Sequence, residues 1–119
     1  MIIDSGGFSE LSLYGEWRTT LAEYVTAGRR YRDEIGNIDF LATQDWMCEP
    51  FMLAKTGLSM EEHQHRTVRS YLDLTETAPD LPWLPVLQGF EEADYLRCID
   101  LYAASGVDLF ASPRIGLGS

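Results

Sequence analysis

Short apolar runs alternate along the chain with longer stretches in which apolar residues recur every three or four positions. The first run, Met1-Ile2-Ile3, meets Asp4-Ser5-Gly6-Gly7-Phe8 at once. It reads as a buried strand that delivers a carboxylate to the end of a sheet, with two glycines that let the backbone turn back closely. An ordinary strand-to-loop turn, with Asp4 and the glycines serving backbone needs only, explains the same five residues. Residues 9–17 are mixed in character and read as a loop. Leu21, Tyr24, Val25, Gly28, Tyr31 and Ile35 then recur at helical spacing, and Thr20 stands three residues before Glu23. This predicts an amphipathic helix over 21–35 with a capping box, closed by Gly36-Asn37.

The pattern then repeats. Residues 38–43 form a second apolar run that ends in Gln44-Asp45-Trp46. After a loop with a helical turn around 51–55, Ser59 and Glu62 mark a second capping box. The helix they open runs to about Thr77, buries Val68, Tyr71, Leu72 and Ala78, and stops at Pro79. Residues 83–87 read as a third strand, ending in Gln88-Gly89-Phe90. A helix over 92–104 turns Tyr95, Leu96, Ile99 and Ala103 inward and closes at Gly106. Residues 107–111 read as a fourth strand, leading into Ser112-Pro113-Arg114-Ile115-Gly116-Leu117-Gly118.

Alternation of strands and helices implies an α/β fold with a parallel sheet and right-handed crossovers, in one domain over 1–119. Two architectures fit: a doubly wound open sheet, or about half of a (β/α)8 TIM-type barrel, which when whole needs about 250 residues. No GxGxxG or Walker A run is present, which weakens the nucleotide-binding open sheet.

Composition changes the picture in one respect. Nineteen acidic residues face nine basic ones, a net charge of −10, whereas a surface that tracks phosphates should be basic. A nucleic-acid partner would have to meet local positive charge, or charge from sequence not present here. No apolar run approaches the ~20 residues of a membrane span, and no leader-like segment opens the chain, so a cytoplasmic location is expected. Cys48 and Cys98 lack CxxC spacing and read as reduced structural thiols. His63 and His65 are two apart on a helix and point to different faces, so no metal site is expected there. The late arginines 29, 30 and 32 suit a helix C-terminus.

Side chains at the C-terminal ends of parallel strands converge on one face. Those positions are Asp4 and Ser5, Gln44 and Asp45, Gln88 and Gly89, and residues 113–116. Carboxylates, a carboxamide and exposed backbone amides suit a flat, hydrogen-bonding heterocycle, on which Trp46, Phe8 and Phe90 could stack.

At these residues the sequence resembles a known family. Asp4-Ser5-Gly6-Gly7-Phe8 is similar to the DSGGF motif of the tRNA-guanine transglycosylase (queuine tRNA-ribosyltransferase) superfamily. Asp39 to Asp45, Cys48-Glu49-Pro50, Val86 to Gly89 and Gly116-Leu117-Gly118 follow in the family's order. QDWMCEP, VLQGF and RIGLGS are more similar to the DpdA-like branch, which modifies DNA with deazapurines. The resemblance implies base exchange: guanine in nucleic acid, DNA favoured over tRNA, is replaced by a 7-deazaguanine through a covalent glycosyl-enzyme. It implies that Asp4 handles protons on the base, with Ser5, Gly6 and Gly7 beside it in the base pocket. Asp45 would read the N1–H and 2-amino edge and Gln88, followed by Gly89, the 6-oxo group. Arg114, Ile115 and Gly116 would offer backbone amides, although Pro113-Arg114 replaces the glycine pair of the tRNA enzymes. The resemblance places the nucleophilic aspartate, and any Cys/His zinc site, beyond Ser119. No cofactor is expected within these residues, and open sheet edges predict an oligomer or a complementing fragment. A non-catalytic base-binding subunit and an unrelated small barrel enzyme are the alternatives.

Overall fold

Every strand pairing among the described residues is parallel, in a three-stranded and a two-stranded sheet, and the helices between paired strands set that arrangement. The computed structural model describes residues 2–118, and of Phe8 the backbone only. Strand β1 (Ile2–Ile3) pairs with β2 (Phe40–Ala42), and β2 with β3 (Trp83–Leu84). Pro85 interrupts the third run, and β4 (Val86–Leu87) continues it by pairing on to β5 (Gly116–Leu117). The strand expected over 83–87 is thus two short strands. Proline has no N–H for the ladder, but its carbonyl accepts from the Gly116 N–H at 2.9 Å, so the interruption is confined to one donor.

Alternation divides the two faces of this sheet. Ile3, Leu41 and Trp83 pack with Tyr24, Val25 and Leu74, while Leu87 packs with Val68, Cys98 and Tyr102. These are the residues that face helices α2 (Leu21–Ile35), α4 (Met60–Thr77) and α5 (Glu92–Ala104). Their neighbours in sequence, Ile2, Ala42, Leu84 and Val86, turn to the opposite face.

Helix α2 has the bounds that its periodicity predicts. Thr20 accepts the Glu23 N–H at 3.1 Å and the Glu23 carboxylate accepts the Thr20 N–H at 3.0 Å, a complete capping box that stabilises a helix by about 1 kcal/mol. Its core stripe ends at Gly28, where a Cβ would crowd Leu41 and Leu81, and Tyr31 and Ile35 are exposed. In α4 the Ser59 hydroxyl accepts the Glu62 N–H, but the Glu62 carboxylate turns to Arg66 at 2.8 Å, so the second box is half formed. Helix α5 buries Cys98 and Tyr102. Leu96 and Ala103, expected inward, face solvent, and Tyr95 and Ile99 are half-buried.

Two expected elements differ in kind. Residues 9–17 do not form a loop throughout: α1 (Gly7–Tyr14) starts at Gly6 and ends at Gly15, both at positive φ, and drives Leu11 into a small core with Trp46 and Met52 of α3 (Pro50–Thr56). Residues 107–111 hold a 3₁₀ turn (Leu109–Ala111), not a strand. The Asp108 carboxylate accepts the Phe110 N–H at 3.0 Å and fixes the turn, with Leu109 buried and Phe110 fully outside. The strand itself comes later, as β5.

Candidate functional site

A cavity of about 350 Å³ lies on the sheet face turned away from the helices, within the ~300–1,000 Å³ usual for small-molecule sites. Its floor is apolar: Ile2, Ala42, Leu84 and Val86. Asp4, Asp45 and Gln88 stand above that floor, just beyond β1, β2 and β4.

Asp45 is the centre of this group. Its Oδ1 accepts the Ser5 hydroxyl at 3.0 Å and its Oδ2 accepts the Gln88 carboxamide N–H. Burial pushes its carboxyl above the usual carboxylate range, the two hydrogen bonds oppose that shift, and the nearby charge of Asp4 adds to it. Both oxygens are thus aligned toward donors, the pattern that an N–H and an adjacent amino group on a ring edge would meet. Asp4 is exposed, and its Oδ1 accepts the Ser5 N–H at 2.8 Å. The fully buried Gln88 has its Oε1 without a hydrogen-bond partner among the described residues. A buried acceptor left unsatisfied is costly and marks a place for a donor.

The glycines of the opening motif shape the wall without lining the cavity. Gly6 takes φ +80°, which an L side chain rarely adopts, and so turns the chain into α1. Gly7 is buried because a Cβ there would lie 2.8 Å from the Trp17 ring. The Trp17 indole N–H donates to the Asp45 backbone carbonyl at 3.0 Å, so this packing holds the Asp45 loop in place. Gly89 is likewise structural: its missing Cβ makes room for Asp94 and Tyr95 in the first turn of α5.

The structure separates the last group predicted from sequence. Gly116 lines the cavity, where a Cβ would meet Leu84 and Val86 at 3.2 and 3.3 Å, but its N–H is taken up by Pro85 and cannot serve a ligand. Arg114 stands over the Phe40 ring, 5.9 Å from its centroid at the start of β2, and neither it nor Ile115 borders the cavity. The aromatic residues are also elsewhere. Trp46 is buried edge-on against His63, with Arg66 over its ring at 4.7 Å. Phe90 is exposed and off the cavity, and the Phe8 side chain is outside the described residues. Gln44 turns away to donate to the Thr19 carbonyl at 2.9 Å.

Three polar residues on the buried face of α4 hold the site together. His63 bonds the Met47 carbonyl through Nδ1 and the Thr56 hydroxyl through Nε2, both at 2.7 Å. A carbonyl can only accept, so Nδ1 carries the proton; burial lowers the pKa of the ring. Thr67 accepts the Trp46 N–H at 2.8 Å. Gln64 donates to the Gln88 carbonyl at 2.8 Å and the Asp94 carbonyl at 2.7 Å, tying the end of β4 to α5. Continuing the Val68–Tyr71 stripe one turn back along the helix reaches these positions, which is the sequence signal for them.

Among the described residues no group of three His, Cys, Asp or Glu could hold a metal ion, and no helix is long and apolar enough to cross a membrane. Both cysteines are buried and free. Burial pushes the Cys48 thiol up to about 12, which keeps it protonated and unreactive at neutral pH.

Compared with known proteins, the sequence matches the family model for DpdA, deoxypurine in DNA protein A, over residues 1–119. No curated protein and no solved structure matches it. A match that runs through the opening motif, Asp45 and Gln88 alike makes this chain a member of the DpdA family, and so ties it to the modification of deoxypurines in DNA.

Proposed function

We propose that the chain carries the base-binding half of a transglycosylase that exchanges guanine in DNA for a 7-deazaguanine. The observation that carries this reading is the half-buried Asp45 carboxylate, fixed between Ser5 and Gln88 over an apolar floor. Its two oxygens, each able to accept a second hydrogen bond, would accept the ring N1–H and the 2-amino group, and the Gln88 carboxamide, keeping one N–H on Asp45, would donate the other to the 6-oxo group. The cavity is acidic and its lining holds no cation among the described residues, so these residues would grip the base and not the phosphate backbone. In-order parallel pairing with helices packed on one face supports a (β/α)-barrel type of sheet, since a doubly wound sheet reverses its strand order.

In the reaction proposed, a carboxylate nucleophile attacks C1′ and the C1′–N9 bond breaks with its electron pair on the departing guanine, which takes up a proton. The 7-deazaguanine that replaces it loses its N9 proton to Asp4, and N9 then attacks C1′ and expels the carboxylate. Asp4 borders the cavity and is exposed, which leaves its carboxylate open to the base and to solvent. The nucleophile is not among the residues proposed here.

Calorimetry with 7-deazaguanine tests the reading. Gln88→Ala is expected to weaken binding about tenfold, and Asp45→Ala, which removes a charged pair of acceptors, about 100-fold. Unchanged affinity in both variants would overturn it. Release of labelled guanine from DNA, measured with and without Asp4→Asn, tests the proton step.

A further inference from the structure

Gln88 is buried in a place that its own backbone does not explain. Gly118, two residues into the segment that β5 opens, lies directly against the Gln88 carboxamide, and a Cβ on Gly118 would overlap its amide nitrogen, carbon and oxygen. Two hydrogen bonds hold Gly118 there. Its N–H donates to the Leu87 carbonyl at 2.9 Å, which extends the β4–β5 ladder, and its carbonyl accepts the Tyr95 hydroxyl. Tyr95 belongs to α5, is half-buried, and does not border the cavity. From the other side, Gln64 fixes the Gln88 carbonyl. The carboxamide is therefore confined between a backbone surface and Asp45, with its Nε2 aimed at the carboxylate and its Oε1 without a partner among the described residues. A side chain as flexible as glutamine would otherwise spread over several rotamers at a cost in aim.

We infer that Tyr95 and Gly118 form a lock that sets the direction of the Gln88 carboxamide, and that they are positioning residues for recognition of the 6-position of the purine. This rests on the base-binding reading above. Tyr95 would act only through Gly118, and Gly118 only through the space it leaves. Removal of the Tyr95 hydroxyl frees the Gly118 carbonyl and lets the strand end drift from Gln88. A methyl on Gly118 forces the carboxamide off Asp45. Neither change substitutes Asp45, Ser5 or the floor; Gly118 itself borders the cavity, whereas Tyr95 does not, so Tyr95→Phe is the variant that reaches the site through Gln88 alone.

The test has one readout without ligand and one with it. In the 15N-labelled chain, the Gln88 side-chain amide resonances are identified by their loss in Gln88→Ala. Tyr95→Phe and Gly118→Ala are expected to move them, because the bond to the Asp45 carboxylate is weakened or lost. Affinities are then compared for 7-deazaguanine, for 6-thio-7-deazaguanine, which keeps the N1–H and 2-amino group but offers sulfur, a weaker acceptor, in place of the 6-oxo group, and for 7-deazahypoxanthine, which lacks the 2-amino group. The intact chain is expected to prefer 7-deazaguanine over the first analogue by about fivefold, part of the worth of one hydrogen bond. Both variants should bring that ratio toward one while the preference over 7-deazahypoxanthine, set by Asp45, persists. Tyr95→Phe keeps the ring and its packing, so it carries the test if Gly118→Ala does not fold. Resonances that stay in place, or two preferences that fall together, would overturn the lock. If the resonances move but the intact chain binds no 7-deazaguanine, the base-binding reading falls and the lock on Gln88 stands without its role in recognition.

Discussion

Replacing Asp45 by asparagine should make the protein more stable while disabling its site. The carboxylate is sunk at the edge of the sheet with no cation beside it, and desolvation is the largest influence on its ionisation. An amide of the same shape can keep both contacts: its oxygen accepts from Gln88, and its nitrogen donates to the Ser5 hydroxyl, which changes from donor to acceptor. Two charge-assisted bonds become neutral ones, a loss of about 1–2 kcal/mol in all. Against this, the several kcal/mol that a buried ion typically costs are removed. A net gain of about 1–2 kcal/mol at pH 7 is expected, which for a domain of this size raises Tm by roughly 4–10 °C. The sign of the pH dependence follows from the raised carboxyl. Because the folded-state pKa lies above the ordinary 3.8, the native protein gains stability as pH falls through that raised value, and the gain is complete below 3.8. The asparagine variant lacks this response, so its advantage should shrink on acidification. The pKa of His63 is lowered, so His63 loses stability in the opposite sense as pH falls below 6.5, but it does so equally in both proteins. Urea unfolding of both chains between pH 4 and 8 measures the difference. A variant less stable than the native chain at pH 7, or an advantage that grows in acid, would refute the reasoning.

Gln64→Ala leaves the Gln88 carbonyl without its side-chain donor and takes a second donor from the half-buried Asp94 carbonyl, and should cost about 1–3 kcal/mol in urea unfolding. Leu11→Ala empties a fully buried position between α1 and α3; a loss of about 2–5 kcal/mol is expected, with Trp fluorescence reporting on the adjacent Trp46. Gly7→Ala sets a Cβ against Trp17 and should cost about 1–3 kcal/mol, whereas Gly36→Ala, with nothing near its Cβ, should show only the strain of its positive φ. A Gly7→Ala loss that stays the same when Trp17 is also replaced by alanine, in thermal melts, would count against a specific role for the Gly7–Trp17 contact.

The helix over Leu21–Ile35 was legible because its cap, its stripe and its closing glycine all agree, and tertiary packing had only to accept it. Helix α1 was hidden because, apart from Gly7, Leu11 is its one buried position among the described residues, too little for a period to form. Residues 107–111 look like a strand by hydrophobicity, yet the Asp108 side chain offers the backbone a local turn, and nothing in an apolar count registers that competition. At the site, Asp4, Asp45 and Gln88 could be placed because strand ends in parallel sheets converge. Gly116 could not be read correctly, since its N–H is claimed by the Pro85 carbonyl, a pairing fixed only when β5 docks. His63, Gln64 and Thr67 were missed for a related reason. A polar residue on an apolar stripe reads as solvent-facing until the loops that it bonds are brought beside it.

The order of the strands has a consequence for how the chain acquires its shape during synthesis. Ile3 finds its partner in Leu41, Leu41 in Trp83, and Val86 in Gly116, so each pairing joins a strand to one made only one helical connection earlier. No pairing waits for a distant segment, and each new helix covers one side of the pair that it connects. A chain emerging from the ribosome could add one strand and one helix at a time, with the loop to be closed staying about the same length at each step. The cavity follows a different schedule. Asp45 can meet Ser5 once the first unit has formed, but the Gln88 carboxamide reaches its confined position only after Gly118 arrives. Competence to hold a base would then come only after the strands and helices described here have formed.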